Sequence, residues 1–322
     1  MLLGNFLQKA FYRLFALILA TFVTASSPIV APSTEEPIKP LRPNEVQVTF
    51  AALADPQIGN YQFKRYPVFE EAMIDLHASE GSLDAVLIAG DVTENGLADE
   101  YQLVYDKLSG IDTRYLIAVG NHDIRLRLYS QSQKRFTAFV NALNGDDKMT
   151  ELSYSEEING YKFIVMGSER TEFEESYFSE EYLTWLDNEI ASANGKPVFV
   201  MCHQPLKLTH GLPDTWGSPI DSAGSIGAQN DRLREILTSY NNVIFITGHL
   251  HTGMGQYTYE TDGKLSMVNL PSLTINNKDG EYNGPGIGYI VEVYGSEIIF
   301  RARNFAQGKW VSDYDITIPV VR

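Results

Sequence analysis

A single cysteine, Cys202, rules out an intramolecular disulfide and any zinc site built from several thiolates. It lies in the apolar run Val198-Phe199-Val200-Met201-Cys202 and reads as a buried core thiol. Basic residues are also scarce: 25 Lys and Arg stand against 41 Asp and Glu, for a net charge of −16. Binding to a nucleic-acid polymer draws on cationic contacts to phosphates, so no such partner is expected. Adhesion to an anionic bilayer is disfavoured for the same reason. A small phosphorylated substrate is compatible with this charge, because a local metal cluster attracts it whatever the global balance. No internal repeat is visible, and no second linker follows the first.

The longest apolar stretch is at the start. Lys9 and Arg13 form a basic flank, Leu14 to Val23 is apolar, and Val23-Thr24-Ala25 is a small-residue cleavage site. Residues 1–25 therefore read as a signal peptide, which implies a secreted or cell-envelope protein. The alternative is an uncleaved N-terminal anchor reaching back through Phe11 and Tyr12, the one expected attachment to a membrane. Loss of residues 1–25 removes two basic and no acidic residues, taking the charge from −16 to −18 (−16 − 2). Pro28, Pro32, Pro37, Pro40 and Pro43 make residues 26–44 an extended linker. One domain is expected over residues 45–322.

Within it, short apolar runs alternate with helical patterns. Strands are predicted over Val46–Ala54, Ala85–Ala89, Tyr115–Val119, Pro197–Cys202 and Val243–Thr247. Helices are predicted over Pro67–Ser79, Ala98–Leu108, Glu180–Ala193 and Asn230–Tyr240. The last third changes character: Gln256–Glu260, Leu265–Leu270, Gly288–Val293 and Glu297–Arg303 read as strands without helices between them, and Asp262-Gly263 marks a hairpin. The expectation is an α/β fold of two packed sheets with helices outside.

The chemistry lies in the residues just past the end of each early strand. The first strand ends in Asp55-Pro56-Gln57, the second in Gly90-Asp91, the third in Gly120-Asn121-His122-Asp123. The fourth ends in His203 and the fifth in Gly248-His249-Leu250-His251. One polar residue at such a place is a turn or a cap. Five strands each delivering a metal-ligand type at the carboxyl end are a site. The donors Asp55, Gln57, Asp91, Asn121, His203, His249 and His251 mix oxygens with imidazoles, which suits Mn, Fe or Zn. They are too many for one tetrahedral ion and fit two divalent transition-metal ions about 3.5–4 Å apart.

This ordered set, from Asp55 to His251, resembles the calcineurin-like metallophosphoesterases. The resemblance implies a four-layer αββα fold, two mixed sheets flanked by helices. It also implies metal-dependent hydrolysis of phosphate esters by a hydroxide activated between two ions. By the same resemblance Asp55 and His251 match ligands of a first metal, Asp91 the bridging carboxylate, and Asn121, His203 and His249 ligands of a second. His122 matches the catalytic histidine that contacts the phosphate and protonates the leaving oxygen. One position departs: the family usually has histidine where this chain has Gln57. The Asp-Pro-Gln form resembles a subset of the family. Gln57 is a ligand through its amide oxygen, the holder of a bound water, or a turn residue.

Around these, His77 reads as a solvated helix residue and the acidic run Glu172, Glu174, Glu175, Glu180, Glu181 as a solvated face. His210 and Trp216 lie in the Leu206–Gln229 loop. Trp216 is a candidate substrate-binding residue that stacks on a base or aryl group, or else packs the loop on itself. Arg125 and Arg127 follow His122 closely; either is a candidate for a phosphate oxygen, Arg125 being the one taken as substrate-binding, or else a solvent-exposed side chain. The sequence leaves open phosphodiesters against phosphomonoesters, with nucleotides, phospholipid headgroups and phosphoproteins among the substrates. The rival reading is a non-catalytic secreted metal- or ligand-binding protein with a degenerate site. Gln57 supports it and the intact His122 opposes it.

Overall fold

A computed structural model describes residues 37–79, 82–216 and 224–321, all within the compact unit Ser33–Arg322. The segment read as a leader and the first part of the linker lie outside the described residues. Among the described residues no helix is long and apolar enough to cross a membrane.

Two mixed sheets face each other. The first is built on three parallel strands, β1 (Val48–Leu53), β2 (Ala85–Ile88) and β3 (Arg114–Ile117). Helices α1 (Arg65–His77) and α2 (Ala98–Leu108) make the crossovers between them. The one-turn α3 (Asn121–Ile124) and the longer α4 (Tyr129–Asn144) follow β3. The second sheet begins with the hairpin β4 (Tyr154–Ile158) and β5 (Tyr161–Val165). It continues in parallel through α5 (Glu180–Ser192), β6 (Val198–Met201), α6 (Asn230–Thr238) and β7 (Val243–Thr247). The hairpin β8 (Tyr259–Asp262) and β9 (Leu265–Asn269) completes it, in the order β4-β5-β6-β7-β9-β8. The chain then returns to the first sheet as β10 (Ile287–Val293), antiparallel to β1, and β11 (Glu297–Asn304). Both β12 (Lys309–Trp310) and β13 (Ile316–Pro319) pair with β11.

Period-two alternation sets the layers. Along β1, Ala51 and Leu53 pack with helix residues such as Phe69, Met73 and Tyr101, while Phe50, Ala52 and Ala54 face the other sheet. Small side chains there (Ala85, Ala89, Ala118) leave room for Phe163 and Phe199. The ring of Phe50 meets theirs edge-on at 5.3 and 5.1 Å. Truncating a ring in such a layer costs about 3–5 kcal/mol. A third apolar layer joins the outer face of β5, β6 and β7 to α5 and α6. The result is the four-layer αββα arrangement expected from the sequence.

Several details differ from the sequence reading. The helix α4 and the β4–β5 hairpin are additional elements, and the β8–β9 turn centres on Gly263-Lys264, one residue past the expected pair. The end of the stretch read as linker is seated on the first sheet. Ile38 is buried, Leu41 N–H donates to Glu292 Oε2 at 3.0 Å, and Arg42 pairs with Glu297 at 2.6 Å. On the helix side, the buried Arg303 of β11 forks onto Asp75 of α1 at 2.6 and 2.7 Å, fixing the helix that follows the Asp55–Gln57 loop.

Candidate metal centre and active site

The carboxyl ends of β1, β2 and β3 lie along one edge of their sheet, and those of β6 and β7 along the matching edge of the other. The loops leaving them are stitched together by backbone. Asp55 N–H donates to Gly90 O at 3.1 Å, Gln57 N–H to Asp91 O at 2.8 Å, and Gly248 N–H to His203 O at 2.9 Å. The sheets are bridged where His249 N–H donates to Asp55 Oδ2 at 3.0 Å. Asp55, Gln57, Asp91, His249 and His251 all take positive φ, between 42° and 74°. That region costs a non-glycine residue about 1–3 kcal/mol, and its concentration in one set of residues marks a site rather than a folding need. Gly120 has a different reason: a Cβ there would overlap Asp91 Oδ1.

Around Asp91 the predicted donors converge. His203 Nδ1–H donates to Ala89 O at 2.7 Å, which turns Nε2 inward. That Nε2 lies 3.2 Å from Asp91 Oδ2, 3.2 Å from Asn121 Oδ1 and 3.1 Å from His249 Nδ1. Asp91, His203 and His249 form a buried group whose ligand atoms lie within 4.8 Å of one another. On the other side, His251 Nε2 is 3.2 Å from Asp55 Oδ1, and Gln57 Nε2–H donates to Asp91 Oδ2 at 3.2 Å. All seven donors named from the sequence are thus brought together.

Two observations test whether cations fit. Gln57 Oε1 is buried without a hydrogen-bond partner, a costly state that a bound ion relieves. The field has the matching sign: against burial, the carboxylates of Asp91 and Asp55 push the His203 imidazole up to about 10. Burial and the neighbouring His203 hold the His249 imidazole well below its ordinary value, leaving it neutral as a ligand must be. The donor set fits divalent transition metals.

His122 stands beside this group. Its backbone N–H donates to Asp91 Oδ1 at 2.9 Å, and its Nδ1–H donates to Glu94 O at 3.0 Å. The ring therefore presents Nε2, 3.9 Å from Asp91 Oδ2, to the centre. Asp123 ties the turn down. Its buried carboxylate accepts from the N–H groups of Thr93 and Gly120, each at 3.0 Å, and from Thr93 Oγ1 at 2.8 Å. Burial, and then Asp91, push Asp123 up to about 6.

The rim differs from the sequence reading in one respect. Glu174 is not part of a solvated face. It is half-buried, with Oε2 accepting from Asn121 Nδ2 at 2.9 Å and lying 3.9 Å from His249 Nε2. Arg125 lies between Glu174 at 3.7 Å and Glu94 at 4.0 Å. Trp216 stacks on His249, with centroids 4.6 Å apart and planes at 22°, so one of its faces is already covered. His210 is buried against the chain around the start of β8, donating from Nδ1 to Tyr257 O at 2.7 Å and from its backbone N–H to Glu260 Oε1 at 2.9 Å, and His77 sits in the last turn of α1. Residues 217–223 of that loop lie outside the described residues.

Comparison with known proteins agrees with this geometry. The family model described as calcineurin-like phosphoesterase matches residues 48–253. A probable glycerophosphodiester phosphodiesterase from Arcobacter nitrofigilis is 25% identical over 178 residues, 52% of this chain and 56% of that protein. A 3′,5′-cyclic-nucleotide phosphodiesterase from Nostoc is 23% identical over 189 residues, 57% of this chain and 61% of that protein. The matched region thus spans less than two thirds of either relative. Among solved structures, a purple acid phosphatase from yellow lupin superposes with a TM-score of 0.57 at 13% identity, over 84% of this chain and 53% of that one. GAP50, the anchor in the inner membrane complex of Plasmodium, gives 0.59 at 12% identity, over 86% and 90%. At these identities the structures speak for the fold alone.

Proposed function

Because the chain belongs to the calcineurin-like phosphoesterase family, we propose that it is a metal-dependent phosphodiesterase using two divalent transition-metal ions. The observation that carries this reading is the convergence on Asp91 of buried donors from both sheets, with Gln57 Oε1 left unpartnered. Asp55, Gln57, Asp91 and His251 would hold one ion, and Asp91, Asn121, His203 and His249 the other. When bound, such a pair supplies a nucleophile at neutral pH and positive charge on the phosphoryl oxygens.

The chain's own groups supply the rest. His122 points Nε2 at the centre with Nδ1 committed to the Glu94 carbonyl. As imidazolium it donates a proton to the departing ester oxygen. Asp91 orients the His122 backbone through one oxygen and faces His203 with the other. Asp123 keeps the two loops in register.

Preference for a diester is supported by the names of both relatives and by charge. The centre is flanked by Glu94, which pairs with Arg65, and by Glu174, with Arg125 between the two at 4.0 and 3.7 Å. Glu174, whose Oε2 lies 3.9 Å from His249 Nε2, repels a monoanionic diester less than a dianionic monoester. Secretion or attachment at the cell envelope through residues 1–25 belongs to the same proposal, and its check is an intact mass of exported protein beginning near Ser26. The test of activity is purified, Mn-loaded protein assayed on bis(p-nitrophenyl) phosphate, p-nitrophenyl phosphate and cyclic nucleotides. Turnover of the diester is expected to exceed that of the monoester. No turnover of any ester by metal-loaded protein would instead favour the non-catalytic binding protein.

A further inference from the structure

Glu174 lies in the loop between β5 and α5, among acidic neighbours with no periodicity to distinguish it. Its position is nevertheless specific. Oε2 accepts from Asn121 Nδ2 at 2.9 Å, so the amide oxygen of Asn121 turns the other way, toward His203 Nε2 at 3.2 Å. The carbonyl of Phe173 accepts a second bond from the same Nδ2 at 3.1 Å. That amide nitrogen thus has two acceptors, of which only one is charged. The same Oε2 stands 3.9 Å from the buried His249 Nε2. On its outer side Oε1 is 3.7 Å from Arg125 Nη1. The Arg125 guanidinium is drawn the other way by Glu94 Oε1 at 4.0 Å and lies over the exposed Phe173 ring at 5.7 Å.

A carboxylate at this place has two electrostatic effects of the same sign. It sits beside the ligand edge where a phosphoryl group must lie, and each extra negative charge on that group is repelled. It also occupies Arg125, the cation at the mouth best placed to bind a further phosphate oxygen. We propose that Glu174 is a specificity-determining residue that selects phosphodiesters against phosphomonoesters by charge. The inference rests on the phosphoesterase reading above and deepens it. Neither effect needs Glu174 to bind metal, and its hydrogen bond to Asn121 can be kept by a neutral amide.

The experiment compares wild type, Glu174→Gln, Glu174→Ala and Glu174→Asp, each Mn-loaded. It measures kcat/KM for bis(p-nitrophenyl) phosphate and p-nitrophenyl phosphate, which share a leaving group, together with bound metal by elemental analysis. The diester-to-monoester ratio is expected to fall about tenfold in both the Gln and Ala variants, the scale of one like charge a few ångströms away in a partly wet site. It should stay near wild type in the Asp variant. Metal content should be unchanged in Glu174→Gln. An unchanged ratio in Glu174→Gln overturns the proposal. Loss of metal in Glu174→Gln also overturns it, since the residue would then be a ligand. Should wild type cleave neither ester, the phosphoesterase reading itself fails, a result distinct from either of these.

Discussion

The indole of Trp216 lies on the imidazole of His249, centroids 4.6 Å apart and planes inclined by 22°. Trp216 ends a short 3₁₀ turn, Asp214–Trp216, which Thr215 Oγ1 pins to the carbonyl of His210 at 3.0 Å. His249 holds a strained φ of 74° and a buried Nε2. The stack fixes the angle of the His249 ring, the orientation that metal ligation by this side chain would need.

Replacing Trp216 with Ala is expected to weaken metal binding about 10–100-fold, the usual cost of removing a group that orients a ligand. Trp216→Phe should retain most of the affinity. Competition with a chelator during Mn titration measures both. Equal affinity in wild type and Trp216→Ala would show that the stack carries no such role.

Asp91 is the carboxylate shared by the two groups of donors. Burial alone would raise it, but the adjacent His203 charge outweighs burial and keeps it below the usual carboxylate range. Asp91→Asn should release both ions on dialysis, whereas Asp55→Asn, which disturbs one group of donors, should release one. Elemental analysis of the dialysed proteins decides it. Full retention by Asp91→Asn would remove the bridge from the scheme.

The strand-end motifs made the centre legible because parallel strands must deliver their following residues to one edge, whatever the loops do between. The span of α2, Ala98–Leu108, and that of β7, Val243–Thr247, follow from composition in the same way. The spacing of α4 is harder to read. Its buried residues are Ser132, Phe136, Phe139 and Val140, a narrow stripe in a run of Gln, Lys and Arg that masks the period. The hairpin at Asn159-Gly160 carries its signal openly, since both residues take positive φ, but its strands are flanked by charge and only partly buried. Glu174 and Trp216 belong to loops, where spacing fixes neither direction nor depth. Sequence offers five acidic residues in that run, Glu174 among them, and only packing sets it against Asn121.

His210 gives a pH signature that belongs to the fold rather than to the centre. Burial holds its imidazole below the ordinary value, against the opposing pulls of Glu260 and the Tyr257 carbonyl. The folded chain therefore takes up this proton at lower pH than the unfolded chain does. Its contribution to stability is full above the unfolded value of about 6.5 and is lost as pH falls toward the depressed folded value. The drop in Tm between pH 7.5 and 5.5 should be smaller in His210→Gln than in wild type. An equal drop in the two proteins would mean that another group carries the acid sensitivity.

His122 separates chemistry from metal binding. Its Nδ1–H is fixed on Glu94 O at 3.0 Å, and its backbone N–H on Asp91 Oδ1 at 2.9 Å, so ring and main chain are anchored independently. Replacing the side chain with Ala leaves the backbone bond to Asp91 in place, and the seven donors keep their positions. Metal content should stay near wild type. Turnover should fall about 10²–10⁴-fold, the usual worth of a general acid or base. The loss should depend on the leaving group. An alkoxide must be protonated as it departs, so alkyl diesters should suffer most, while nitrophenolate leaves unprotonated and should be affected less. Comparing kcat for an alkyl and a nitrophenyl ester of the same phosphate, in wild type and variant, separates the two. If His122→Ala strips the metal, the residue is a ligand. If it keeps metal and full activity on the alkyl ester, another group delivers the proton.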